Sequence, residues 1–164
     1  MERLFAGWRM KFVERAGKAP DGCLFCALHT RGDDARRYVV ERGPKAFIVL
    51  NAFPYNSGHL MVAVNRHVGT IAGLTAAERA DVWRLLARAE RALGKAYKPE
   101  GLNVGINQGR AAGAGVLDHL HVHLVPRWIG DTNFMTAVGD AKVMPEDLDA
   151  TYKRIRRALA ALRG

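Results

Sequence analysis

Three histidines at every second position are the feature that most constrains how this chain can fold. Residues 118–128 read DHLHVHLVPRW, with an apolar residue between successive histidines. In an extended strand, the histidines share one face and the apolar residues share the other, whereas a helix would scatter them. The segment therefore predicts a strand that ends at Pro126, with a core on one face and imidazoles able to bind protons, metal or phosphorus on the other. The alternating residues are His119, Leu120, His121, Val122, His123 and Leu124.

The rest of the chain predicts an α+β fold. Four further strands are expected at residues 37–41, 45–51, 58–65 and 101–107. Thr75 and Glu78 have capping-box spacing, which predicts a long helix that ends near Tyr97. Pro145 predicts the first turn of a final helix over residues 145–162. Strands in runs around one long helix favour an antiparallel sheet with helices on one face, and the length favours one domain spanning 1–164.

The charge of the chain suggests an anionic partner. The formal net charge is +9, which favours a nucleotide, a polyphosphate or a nucleic acid. Part of the excess lies in the C-terminal run TYKRIRRALAALRG, whose basic residues could equally form a solvated helix face. A nucleic-acid module would usually add interleaved exposed aromatics, and only Tyr152 is nearby. A small anionic substrate is therefore favoured over nucleic acid.

Membrane insertion and secretion are not expected. No apolar run approaches the roughly 20 residues that a membrane span requires. Residues 1–15, MERLFAGWRMKFVER, are amphipathic and charged rather than typical of a signal peptide, so the cytoplasm is expected. Two cysteines are too few for a disulfide framework.

A loop poor in side-chain bulk precedes the histidine strand. Residues 107–118 read NQGRAAGAGVLD and hold three glycines and three alanines. Backbone N–H groups in such a segment can approach an anion closely and form a phosphate nest. A flexible connection is the alternative, but beside aligned histidines in a basic protein the phosphate interpretation is favoured.

A metal half-site is suggested by CLFC near the start of the chain. Cys23 and Cys26 have the C-x2-C spacing of a common zinc half-site, and thiolates are ligands that zinc prefers. A tetrahedral site needs two further ligands, for which histidine is the usual complement. A pair of reduced, buried thiols is the alternative.

These segments together resemble the histidine triad (HIT) family of nucleotide hydrolases and transferases. HLHVHLVPRW matches the family signature, and CLFC, VLNAFPYNSGHLMV and the glycine-rich loop agree with it over roughly residues 20–128. The continuation PRWIGDTNFM is most similar to the branch containing bacterial diadenosine tetraphosphate phosphorylases and hydrolases. The resemblance implies a five-stranded antiparallel sheet with one long helix and a C-terminal helix, usually as a homodimer.

The resemblance also implies roles for individual residues. His121 corresponds to the nucleophile on the α-phosphate and His123 to a donor to a phosphate oxygen, roles that suit a neutral imidazole. Asn51 matches a ribose contact, although it could also be a turn former at a strand end. His59 matches a residue lining the nucleotide pocket, although it could also be a structural histidine. Asn107 matches a residue that holds phosphate or its leaving oxygen.

Zinc-bearing members of the family complete the metal site with two histidines. The matching residues here are His67 and His119, so the resemblance implies a structural zinc held by Cys23, Cys26, His67 and His119. His119 would then serve both the triad and the metal. His29 is close to the cysteines in sequence but lies outside the family pattern.

One position departs from the family pattern. Many members have a hydroxyl residue just before the triad, where this chain has Ala114 and Gly115, and the loop to His119 is one residue longer. The Gly115 N–H can stabilise an oxyanion but cannot protonate a leaving amine. The departure favours polyphosphate leaving groups over phosphoramidates.

Two classes of function follow from the sequence. The first is an enzyme that cleaves dinucleoside polyphosphates through a covalent intermediate on His121, which water or phosphate then resolves. A nucleoside phosphoramidase or a nucleotidyltransferase is the enzymatic alternative. The second class is a nucleotide-binding module with little turnover. No residue decides between a hydrolase and a phosphorylase.

Overall fold

The computed structural model describes residues 22–131 and 144–162. In these ranges the α-helices are α1 (Leu24–Thr30), α2 (Ala76–Tyr97) and α3 (Leu148–Ala160), with a 3-10 helix at Arg110–Ala112. The strands are β1 (Val39–Arg42), β2 (Ala46–Leu50), β3 (Leu60–Val64), β4 (Gly101–Gly105) and β5 (His121–Arg127). The N-terminal segment 1–15 and the TNFM part of the family-like continuation lie outside the described residues. No described helix combines the length and the apolar character needed to cross a membrane.

The five strands form one antiparallel sheet in the order β1-β2-β3-β5-β4, which confirms the predicted fold class. The histidine strand β5 lies between β3 and β4, so both of its edges are paired. Backbone pairing on both sides restricts the movement of β5 and of the side chains that it carries.

The two faces of the sheet are covered by different helices. Leu120, Val122 and Leu124 lie in the larger apolar core with residues of α2 and α3, as the alternation predicts. The opposite face packs against α1, whose Phe25 and Leu28 contact a second apolar cluster. That cluster also contains Val39, Phe47, Val49, Met61 and Ala63. The long helices therefore share one face as expected, while α1, which the sequence pattern did not predict, covers the histidine face.

The long helix α2 begins as its sequence signals. Thr75 Oγ1 accepts a hydrogen bond from the Glu78 backbone N–H, and the Glu78 carboxylate accepts one from the Thr75 N–H. Arg66 donates two hydrogen bonds of 2.8 Å to the same carboxylate, which lowers the pKa of Glu78 to about 2. The capping box thereby ties the start of α2 to the segment that follows β3, next to His67.

Two predicted boundaries are wrong, each for a local reason. Strand β5 continues through Pro126, which pairs with Leu102 of β4. The Pro126 carbonyl accepts a hydrogen bond from Asn56 Nδ2. The carbonyl and the nitrogen of one strand residue face the same side, so the Pro126 nitrogen lies on the β3 side of β5. Strand β3 starts only at Leu60, opposite Leu124, so no N–H is needed for pairing at Pro126. The final helix starts at Leu148 rather than at 145, because Asp147 is extended and caps the Ala150 N–H.

The first strand also starts later than predicted. Residue 38 is a tyrosine with φ 57°, in the left-handed region, so residues 37–38 form a turn instead of the start of β1. The other strand ends differ from the predictions by one or two residues, which is the usual uncertainty of element boundaries.

Candidate active site and metal centre

The tautomer of His121 is set by a hydrogen bond to the backbone beside it. Its Nδ1 lies 2.9 Å from the carbonyl oxygen of His119, which can only accept a hydrogen bond. Nδ1 therefore carries the proton, and Nε2 retains its lone pair. The side chain is 4% exposed, and burial lowers the pKa of His121, with the carbonyl acting in the opposite direction. A neutral imidazole with a free Nε2 is the form that can attack phosphorus.

The proton on His123 is set by a hydrogen-bond chain that starts at the backbone of Tyr55. The Tyr55 N–H donates to His59 Nδ1 at 3.1 Å, so His59 carries its proton on Nε2. His59 Nε2 lies 3.0 Å from His123 Nδ1 and donates to it. A neutral His123 consequently carries its proton on Nε2, where it can serve as a donor.

His59 is almost completely buried, at 1% exposure. Its ring lies 5.2 Å from the His123 ring and 4.7 Å from the Tyr55 ring, measured between centroids. The structure thus gives His59 a direct hydrogen bond to the triad, which the sequence did not predict. The predicted role in lining the nucleotide pocket stays a prediction.

Asn51 occupies the turn after β2 and reaches toward the same histidine. Its Oδ1 accepts from the Phe53 N–H at 2.9 Å, which is the hydrogen bond of a turn-forming asparagine. Its Nδ2 lies 3.4 Å from His59 Nδ1. Asn51 therefore forms the turn that the alternative interpretation described. Its contact with a ribose stays a prediction.

The glycine-rich loop is shaped by residues in the left-handed region. Gly109 and Gly113 flank the 3-10 helix with φ of 83° and 81°, and Asp118 has φ 58°. Backbone of this kind can direct consecutive N–H groups toward an anion. At Gly69, a side chain would place its Cβ 2.8 Å from the Asp118 Cα, so the loop after β3 contacts the residue just before the triad.

Asn107 and Gly115 are both partly buried in this loop. Among the described residues, the glycines with positive φ do not include Gly115. A residue with a side chain can therefore adopt the backbone conformation at 115. The phosphate contacts of Asn107 and Gly115 stay predictions.

Four predicted metal ligands come together at the edge of the triad. The ligand atoms of Cys23, Cys26, His67 and His119 all lie within 4.8 Å of one another. His119 Nε2 donates to the Val64 carbonyl at 2.7 Å, so Nδ1 retains its lone pair and faces the thiols. The Cys23 sulfur lies 3.1 Å from this Nδ1, and the Cys26 sulfur lies 3.6 Å from it and 3.4 Å from His67 Nδ1.

These separations fit zinc. Tetrahedral angles with the usual Zn–S and Zn–N bond lengths place sulfur and nitrogen ligands about 3.6 Å apart. Two thiolates with two imidazoles form a common structural donor set, and all four positions are supplied by protein. The cluster is therefore a structural zinc site, as predicted. His29 is exposed and stacks on Phe47, outside the cluster.

Helix α1, which carries Cys26 and is preceded by Cys23, is anchored at its C-terminal end by Arg42. The guanidinium donates to the carbonyls of Leu28, His29 and Arg31 at 2.8–3.1 Å. It also forms an ion pair of 2.6 Å with Asp34. These bonds satisfy carbonyls at the C-terminal end of α1, which lack partners within the helix. The position of the two thiols is thus fixed from β1 as well as by the metal site.

Three features of the site were missed in the sequence. They are Phe25 of α1, the Tyr55 N–H and Arg42. The spacing of Phe25 and Leu28 on one helical face was a weak signal for α1. No local pattern marks the other two, since the partner of Arg42 lies eight or more residues away along the chain and a backbone N–H has no sequence signature.

Comparisons with known proteins agree with this geometry. The family model described as HIT domain matches residues 34–128. A Mycobacterium tuberculosis protein named AP-4-A phosphorylase is 38% identical over 167 aligned positions, which cover 98% of this chain and 83% of that protein.

Solved structures of similar fold include two histidine triad proteins. A Zn-bound histidine triad family protein from Mycobacterium smegmatis aligns with TM-score 0.69 and 26% identity, over 87% of this chain and 96% of that one. A hypothetical histidine triad nucleotide-binding protein from Sulfolobus tokodaii aligns with TM-score 0.70 and 26% identity, over 86% and 94% of the two chains. The fold, the triad and the metal ligands thus point to one family.

Proposed function

The chain belongs to the HIT domain family, and from this premise we propose that it is an enzyme that cleaves dinucleoside polyphosphates of the diadenosine tetraphosphate type. The observation that carries the proposal is the hydrogen bond from His121 Nδ1 to the His119 carbonyl, which leaves Nε2 free to attack phosphorus. The 38% identical relative named AP-4-A phosphorylase supports the substrate class.

The first step of the proposed reaction transfers a nucleotidyl group to His121. The Nε2 lone pair forms a bond to the α-phosphorus, while the bond from phosphorus to the bridging oxygen breaks and its electron pair leaves with the polyphosphate. The His121 ring becomes cationic, and the His119 carbonyl stabilises it through Nδ1–H. His123 Nε2–H donates to a phosphate oxygen, because His59 occupies its Nδ1.

The second step releases the nucleotide. An oxygen of water or of inorganic phosphate attacks the same phosphorus and gives up its proton to solvent, while the P–N bond breaks and its electron pair returns to His121 Nε2. Water gives a nucleoside monophosphate, and phosphate gives a nucleoside diphosphate. Zinc held by Cys23, Cys26, His67 and His119 would contribute structural fixation of the start of β5.

Product analysis with diadenosine tetraphosphate tests the proposal. The protein is incubated with this substrate, with and without radiolabelled inorganic phosphate, and the nucleotides are separated by chromatography. Without added phosphate, we expect ATP together with AMP if water resolves the intermediate. With labelled phosphate, we expect ATP together with labelled ADP if phosphate resolves it. Binding of the substrate without release of any nucleotide would contradict the enzyme and favour a nucleotide-binding module.

Gly115 has no hydroxyl group, which predicts that the enzyme prefers substrates whose leaving group needs no proton. ATP can leave as a stable anion, whereas an amine leaving from a nucleoside phosphoramidate must gain a proton. The Gly115 N–H cannot donate that proton, and a general acid is worth roughly 100- to 10,000-fold in rate. We therefore expect kcat/KM to be higher for dinucleoside polyphosphates than for phosphoramidates by a factor in this range.

Gly115→Ser is expected to reduce the ratio of kcat/KM between dinucleoside polyphosphates and phosphoramidates. It should raise kcat/KM for the phosphoramidate, because the serine hydroxyl can donate a proton to the leaving amine. Gly115→Ala is the matched control, since it adds a Cβ without a hydroxyl and should leave the ratio unchanged. Comparable kcat/KM values for both substrate classes in the unmodified protein would contradict this role of the loop.

Three further parts of the proposal rest on the sequence. They are one domain over residues 1–164, a homodimer and a cytoplasmic location. For the homodimer, β4 is an edge strand of the described sheet, and its Val104 is 53% exposed. Edge strands with exposed apolar residues are usually covered by another element or another copy.

A further inference from the structure

Phe25 lies between the two cysteines in sequence and contacts the triad in space. It is 1% exposed, although its neighbour Leu24 is 47% exposed. Its ring centroid lies 5.2 Å from that of His119 and 4.7 Å from that of His121. One side chain of α1 therefore packs on both the metal-binding and the reacting imidazole.

The hydrogen bond that His121 Nδ1 donates to the His119 carbonyl does not by itself fix the ring. A ring tethered at Nδ1 can still rock about that contact, which displaces Nε2 at the far side. Packing restricts this motion, and among the described residues the aromatic neighbours with centroids within 5 Å are Phe25 at 4.7 Å and His123 at 4.9 Å. His123 is itself hydrogen-bonded to His59, so of these two neighbours in the described part of the chain Phe25 is the one from outside the triad network.

The position of Phe25 depends on both ends of α1. Cys23 and Cys26 lie against His119 and His67 at the metal site, and Arg42 holds the C-terminal carbonyls of the helix. A helix of seven residues is too short to be stable by itself. The contacts at the metal site, the Arg42 anchor and packing against Phe47 therefore all hold the Phe25 ring in place.

We infer that Phe25 is a positioning residue that holds the ring of His121 in the orientation needed for attack. Through this ring contact, the position of α1 at the metal site affects the orientation of His121. The contact acts in addition to the hydrogen bond from His121 to the His119 carbonyl. The link to catalysis rests on the proposed function, in which His121 Nε2 attacks phosphorus. The contact itself can be measured without catalysis.

The test compares Phe25→Leu with Phe47→Leu in the zinc-loaded protein. Phe47 is 0% exposed and belongs to the same apolar cluster as Phe25. Among the described residues, its aromatic neighbours are Phe25 and His29. Both substitutions thus remove the same aromatic volume from one cluster, but only Phe25→Leu removes an aromatic ring that contacts His119 and His121. Phe25→Met, with a side chain that fills irregular space, is the second variant if Phe25→Leu folds poorly.

Three readouts are measured for each protein. Zinc content should stay at about one per chain, since the ligands are unchanged. The hydrogen-bonded Nδ1–H of His121, observed by NMR in protein labelled with 15N-histidine, should broaden or exchange faster in Phe25→Leu and not in Phe47→Leu. For Phe25→Leu, kcat should fall about 10- to 100-fold with KM within about threefold, because small misplacements of a reacting group have effects of this order.

The outcomes separate the inference from the proposed function. A sharp His121 resonance and unchanged kcat in both Phe25 variants would overturn the inference and leave the proposed function intact. Equal losses in Phe25→Leu and Phe47→Leu would overturn it too, since they indicate a general packing effect. A broadened resonance with unchanged kcat would overturn the inference as well, because mobility of the ring would then not affect attack. The proposed function fails separately, if the unmodified protein releases no nucleotide from diadenosine tetraphosphate.

Discussion

His121→Asn is expected to lower kcat for diadenosine tetraphosphate by at least about 1,000-fold, because His121 alone forms the covalent bond to phosphorus. His121→Ala should have the same effect. Substrate affinity, measured by calorimetry on the inactive variants, should change little, since loop backbone and Asn51 are proposed to share the binding. The melting temperature should stay close to that of the unmodified protein.

A matched control and a direct observation complete this prediction. His29→Asn makes the same substitution at an exposed histidine outside the site and should retain activity. Rapid quenching of the unmodified protein should trap one nucleotidyl group on the peptide that contains His121, as mass spectrometry can show. Activity of His121→Asn above about a tenth of the original, a barrier change under about 1.4 kcal/mol, would remove His121 from this role.

Protein purified without chelator is expected to contain about one zinc per chain by elemental analysis, as a site with four protein ligands predicts. Cys26→Ser should lose most of this zinc, because it replaces a thiolate with a weak neutral ligand. If free zinc is present at about 1,000 times its Kd, loss of zinc binding lowers the free energy of unfolding by about 4 kcal/mol. For a chain of this size, the melting temperature should then fall by about 8–16 °C.

Cys26 is a suitable target because it faces both metal-site histidines, at 3.4 and 3.6 Å. Thr30→Ser, a conservative change at the last residue of α1, should keep both the zinc and the stability. Measurement of unfolding with and without added zinc separates the metal contribution from the substitution itself. Metal-free protein that is as stable and as active as loaded protein would leave Cys23 and Cys26 as ordinary thiols.

The sequence alone determined the parts of this protein that depend on short-range spacing. The alternation of histidine and apolar residues defines the two faces of β5 because a strand has a period of two. Thr75 and Glu78 define the start of α2 because their side chains reach only the nearest free N–H groups. The resemblance then related these local patterns to a family, and through it supplied the ligand His67, which lies 41 residues from Cys26.

Only the tertiary structure decided which histidine nitrogen carries a proton. His59 and His123 are 64 residues apart in sequence but 3.0 Å apart between ring nitrogens, and the donor that orients them is the Tyr55 backbone N–H. The same holds for Phe25, which reaches His121 only because α1 packs on the histidine face. Tautomer and ring orientation depend on the direction of hydrogen bonds between distant segments, whereas sequence spacing specifies only neighbours along one element.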